Sequence, residues 1–147
     1  MNKNLVIFGP WCGEFCYELS WWIPEIRKQR LERYSNYDAF AVGFEGRKVL
    51  YKDFTEKYFA YTKELEDTLK YPATFGEHIN GRDIIPSNLQ EYVKEIVKPY
   101  MGQYKNIEIY LPGTMPISQA RTMAEQPFGV FRHYDASAEI MQSVQNE

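Results

Sequence analysis

The sequence predicts an α/β fold, a single domain over residues 1–147 with a mostly parallel sheet flanked by helices. Three observations carry that expectation. Leu5-Val6-Ile7-Phe8 is apolar at every position, as suits a central strand covered on both faces. Gly9-Pro10-Trp11-Cys12-Gly13 supplies turn residues directly after it, and apolar residues at helical spacing follow at once. Strand-like and helix-like segments then continue to alternate down the chain, the pattern of a parallel sheet with crossover helices.

The first helix is expected from Glu14 to about Arg30, with Phe15, Leu19, Trp22, Ile23 and Ile26 at spacings of three and four. Its acidic residues lie near the start and Arg27, Lys28 and Arg30 near the end, which complements the helix dipole. Pro24 has no amide hydrogen and should kink or split the helix near Trp22. Ala39–Gly43 reads as a second strand and Phe44-Glu45-Gly46-Arg47 as the turn that leaves it. Lys48–Phe54 is expected as a short helix carrying Val49, Leu50 and Phe54 on one side. Tyr58–Thr62 reads as a third strand or as an extension of that helix.

Lys63–Asp83 is charged and rich in turn residues, and is expected as the longest loop. A helix begins near Pro86-Ser87, where Ser87 and Gln90 have the spacing of a capping box. Leu89, Val93, Ile96 and Val97 form its apolar face, and Pro99 marks its end. Asn106–Leu111 alternates and reads as a strand closed by Pro112-Gly113. Ser118–Glu125 is expected as a short helix, Gly129–Phe131 as a last strand, and Asp135 or Ser137 as the cap of a final helix.

Composition narrows the function classes. The chain is 44% hydrophobic and 25% charged, ordinary for a globular protein, and its net charge of −3 gives no general attraction to nucleic acid or an anionic membrane. The apolar runs fall short of the roughly 20 residues that span a bilayer. The opening run is also too short for a signal peptide, so the chain reads as cytosolic, with Cys12 and Cys16 reduced unless they are redox-active. Aromatic residues are abundant, with twelve Tyr, which allows ring-lined contacts.

Two resemblances start from the opening stretch. Gly13-Glu14-Phe15-Cys16-Tyr17-Glu18-Leu19-Ser20-Trp21-Trp22-Ile23-Pro24-Glu25-Ile26-Arg27, followed by Gly46-Arg47 and Leu50-Tyr51-Lys52-Asp53-Phe54, resembles the N-terminal half of GT-B-type glycosyltransferases. The resemblance implies a Rossmann-like domain that binds a nucleotide sugar or a glycan. In that family the donor is held mainly by a second, C-terminal domain. Transfer would then require a second domain or chain, or a homo-oligomer, and would be metal-independent. The segment Trp11-Cys12-Gly13 with Cys16 is similar to the redox segment of thioredoxin-like proteins, with Met115-Pro116 in the place of their cis-proline. Here three residues separate the cysteines, where that motif has two.

The candidate site residues are read against ordinary structural roles. Glu14 and Glu18, four apart, share a helix face and are the candidate catalytic pair, holding substrate hydroxyls or taking a proton from one. They also simply favour the helix dipole, which lowers a carboxylate's pKa and suits Glu14 to hydrogen bonding. Gly9 and Gly13 let a ligand approach the backbone or merely make the turn. Gly46 and Arg47 occupy the next turn on the same sheet edge, where Arg47 faces an anionic ligand or solvent. Trp11 and Tyr17 are the ring candidates for ligand stacking, whereas Trp22 suits the core. Cys12 and Cys16 are the alternative redox pair, or buried spectators. With His78 and His133 they match no zinc spacing, so neither a metal nor a cofactor is expected. A non-enzymatic module that sequesters a ligand or binds a partner stays open beside these readings.

Overall fold

The computed structural model describes residues 3–13, 15, 18–69 and 87–112, with Trp21 described in its backbone alone. Four parallel strands organise these residues: β1 (Asn4–Phe8), β2 (Asp38–Gly43), β3 (Lys57–Ala60) and β4 (Asn106–Tyr110). Their spatial order is β3-β2-β1-β4. The chain therefore walks outward from β1 to β3 and then returns to the other side of β1. This reversal places a topological switch point at the carboxyl ends of β1 and β4. The apolar run Leu5–Phe8 is fully buried, as its central position requires.

Side-by-side residues of parallel strands point to the same face, so the register sorts the core. Phe8 and Tyr110 are paired, and both rings meet Tyr34 edge-on. Tyr34 follows helix α1 (Ile23–Glu32), which covers this face with Ile23 and Ile26. The buried Glu25 of α1 accepts hydrogen bonds from the Tyr110 hydroxyl at 3.1 Å and from Gln29 at 3.0 Å. On the opposite face Phe40 lies beside Ile7 and packs against Tyr100 and Tyr104. Those rings follow helix α3 (Ser87–Val97), whose Leu89, Val93, Ile96 and Val97 are buried as their spacing predicts.

Several elements differ from the sequence expectation. The first helix is not one α-helix: Glu18–Trp22 is a π-helical turn, and regular α-helix begins at Ile23. Pro24 stands in the first turn of α1, where its missing amide hydrogen costs nothing. The wider π turn shifts the phase of the apolar stripe. Trp22, Ile23 and Ile26 face the core, while Phe15 and Leu19 are 44% and 43% exposed.

The helix expected over Lys48–Phe54 is reduced to a 3-10 turn, Lys48–Leu50, followed by further turns. Its buried residue is Tyr51, and Val49 points outward at 62% exposure. The third strand is Lys57–Ala60. Inside the expected long loop, Lys63–Thr68 forms the short helix α2. Thr62 caps it by accepting from the Leu65 amide at 3.1 Å, and Glu64 and Glu66 sit in its first turn. After α3 the chain makes a 3-10 turn through Pro99 before β4. The elements expected at Ser118–Glu125, Gly129–Phe131 and after Asp135 lie outside the described residues. Among the described residues no helix is long and apolar enough to cross a membrane.

Candidate functional site at the carboxyl edge

The turns after β1 and β2 leave the sheet on the same edge because the strands are parallel. Gly9 has φ +122°, and a Cβ there would lie 2.6 Å from the Val42 carbonyl oxygen. Its amide donates to the Tyr110 carbonyl at 3.0 Å, and the Trp11 amide donates to the Val42 carbonyl at 3.1 Å. The chain leaving β1 is thus fastened to both neighbouring strands. After β2 the turn passes through Gly46, with φ +87° and open space around it, and brings Arg47 back over the edge.

Arg47 meets Glu18 there. The Glu18 side chain is fully buried, and each of its oxygens is engaged. Oε1 accepts from Arg47 Nη1, and Oε2 accepts from the hydroxyl of Tyr51. Burial pushes the Glu18 carboxyl above its ordinary value, against the opposing pull of the Tyr51 hydrogen bond and the Arg47 charge. Tyr51 is buried too, and burial together with the Glu18 charge holds its hydroxyl well above the usual tyrosine value. Arg47 stays partly open to solvent. Its guanidinium carbon lies 4.1 Å from the ring centre of Phe15 and 5.6 Å from that of Phe44.

Tyrosines complete the edge. Tyr51 stacks on Tyr58 at 5.0 Å, and the Tyr58 hydroxyl donates to the Phe44 carbonyl at 2.6 Å. Tyr61 donates to the Trp11 carbonyl at 2.8 Å, and Tyr92 to the Ala60 carbonyl. Carbonyls that the sheet leaves unpaired where strands end are therefore met by side-chain hydroxyls.

Among the residues singled out from the sequence, Glu18 and Arg47 come together, and Gly9 and Gly46 shape the two turns. Trp11 is fully buried and stacks on Trp22 at 5.6 Å, so its ring belongs to the core in this arrangement. Gly13 is buried, and Cys12 is half-buried beside Tyr61. Glu14, Cys16 and Tyr17 lie outside the described residues, as do His78, His133 and Met115-Pro116. Among the described residues no group of three or more His, Cys, Asp or Glu side chains is placed to hold a metal ion.

Sequence reasoning missed Tyr51 as a site residue. The available signal was its spacing: Tyr51 follows Arg47 by four positions, which one helical turn brings to the same side. Phe44, Tyr58 and Tyr61 carried no comparable mark, because what matters is the carbonyl or guanidinium each one meets across the sheet edge.

Fold and site together define a Rossmann-like parallel α/β arrangement with a buried carboxylate–guanidinium–phenol cluster at its carboxyl edge. No family model, curated protein or solved structure matches the chain.

Proposed function

We propose that the chain is a glycosyltransferase-like module that binds a sugar or a nucleotide-containing ligand at the turns following β1 and β2. The observation that supports this most is Arg47, held from beneath by the buried Glu18 and lying against the half-exposed ring of Phe15. A guanidinium offers planar N–H donors to hydroxyl or phosphoryl oxygens. An aromatic face complements the C–H face of a sugar or the plane of a base. The position at the carboxyl edge of a parallel sheet, next to a switch in strand order, is where such folds take ligands.

In this reading Glu18 positions Arg47, since both carboxylate oxygens are occupied inside the fold. Glycosyl transfer would need a donor-binding domain or chain in addition to this one, as the sequence resemblance implies.

Thermal denaturation of the reduced protein with nucleotides, nucleotide sugars and simple glycans tests the proposal. A ligand present at about 100 times its Kd stabilises by roughly 2.7 kcal/mol. Selective stabilisation by one sugar-bearing compound, diminished in Phe15→Ala, is the expected result. A flat response to every compound sinks sugar binding by this chain alone.

A further inference from the structure

Arg47 is not a free charge at this edge: it is paired with the carboxylate of Glu18, which is fully buried. The ring faces of Phe15 and Phe44 take up further parts of its surroundings. Other acidic groups gather near this edge: burial first, then the charges of Glu18, Glu45 and Glu66, oppose the ionisation of Tyr58, which stacks on Tyr51, with Arg47 favouring it. Glu66 itself accepts from the Glu45 amide at 3.0 Å, so α2 brings its acidic first turn against the β2 turn.

We infer that Glu18 is a charge filter for this edge, neutralising Arg47 so that the site selects an uncharged, hydroxyl-bearing ligand over a phosphorylated one. The inference rests on the reading of this edge as a ligand site and narrows it to the sugar, setting the phosphate-bearing nucleotide aside. A phosphate drawn to Arg47 would meet a guanidinium already paired with the buried Glu18 carboxylate, and would bring a like charge close to that carboxylate. Displacing Glu18 is no remedy, because its buried side chain would have to give up both hydrogen bonds without water to replace them. A neutral hydroxyl meets neither cost. It takes the outward N–H donors of Arg47 and leaves the ion pair intact.

The filter predicts a gain of function on removing a charge. Inorganic phosphate and a neutral methyl glycoside are titrated into the wild type and into Glu18→Gln, with the Arg47 side-chain NMR signals as readout. Glu18→Gln, checked for native circular dichroism, should bind phosphate roughly tenfold more tightly or better. Adding Arg47→Gln should remove that gain. In the wild type, millimolar phosphate should leave the Arg47 signals unmoved. Movement of those signals overturns the filter, and so does a folded Glu18→Gln that gains nothing. Should Glu18→Gln fail to fold, the wild-type phosphate titration decides alone. If no glycoside binds the wild type but Glu18→Gln gains phosphate, Glu18 still excludes anions, whereas the selection of a hydroxyl-bearing ligand falls together with the sugar reading.

Discussion

The two edges of the sheet use the same chemistry and place it differently. At the carboxyl edge the Arg47–Glu18 pair joins a side chain that is 26% exposed to one that is fully buried. Toward the amino edge, Arg27 and Asp53 form a two-pronged pair at 2.6 and 2.9 Å, yet both are half in water at 42% and 55%. Beside them Arg30 donates to the Phe54 carbonyl at 3.0 Å, to the Tyr34 carbonyl at 2.6 Å and to Glu56 at 3.1 Å. Arg30, Asp53, Phe54 and Glu56 line a recess of about 380 Å³ with Leu31, Ser35 and Thr55. Its charged groups are satisfied by one another, by Arg27 or by the backbone. The comparison teaches that ion-pair geometry alone does not mark a site. At the carboxyl edge one partner is buried and the other reaches the surface, and the proposed site rests on that difference.

The comparison breaks first at Arg47. Replacing it by Met leaves Glu18 buried without its cation, and should cost about 3–5 kcal/mol at neutral pH. The pH dependence has a definite sign. The Glu18 carboxyl titrates above its unfolded value because of burial, so the stability tied to its protonated form is present below that unfolded value. It is lost as pH rises through the folded value. Removing Arg47 takes away one of the influences that oppose burial. Chemical denaturation over a pH series should therefore show Arg47→Met approaching the wild type as the medium becomes acidic. An equal loss at every pH would mean that Glu18 is not the charge left behind.

Tyr51→Phe sharpens the same edge with a smaller effect. It removes one hydrogen bond to a charged group and leaves Glu18 Oε2 without its donor, for about 1.5–3 kcal/mol. Urea unfolding measures it, and a change below that of any surface pair would demote the phenol to filler. Arg27→Ala is the smallest expected change. An exposed pair is worth about 0.2–1 kcal/mol and fades with added salt. A loss that matched Tyr51→Phe, or that ignored salt, would erase the contrast between the edges.

How far the sequence could be read follows from what each signal depends on. Leu5–Phe8 announced a central strand because a strand covered on both faces must be apolar throughout, and it is fully buried between β2 and β4. The face of α3 was equally plain, since four apolar residues at helical spacing have one way to be buried together. The first helix was legible only in part. Phe15 and Leu19 keep α-helical spacing with Trp22 and Ile23, but the π turn over Glu18–Trp22 rotates them out of the core. That local change of pitch has no unique residue signature. Helix α2 was hidden by its charge, although Thr62 and the acidic residues after it form a recognisable start.

By itself, then, the sequence determined the parallel α/β arrangement and the edge where its turns gather, because strand burial, helix period and glycine turns are local properties. It also placed Gly9 and Gly46 at those turns, and both adopt positive φ. Only the tertiary structure decided which residues meet there. Glu18 joins Arg47 and Tyr51 across 29 and 33 positions of chain. Trp11 turns inward onto Trp22, and three tyrosine hydroxyls find the carbonyls where the chain leaves the strands. Burial and ionisation are properties of neighbours brought together by packing. No single segment of the chain carries them.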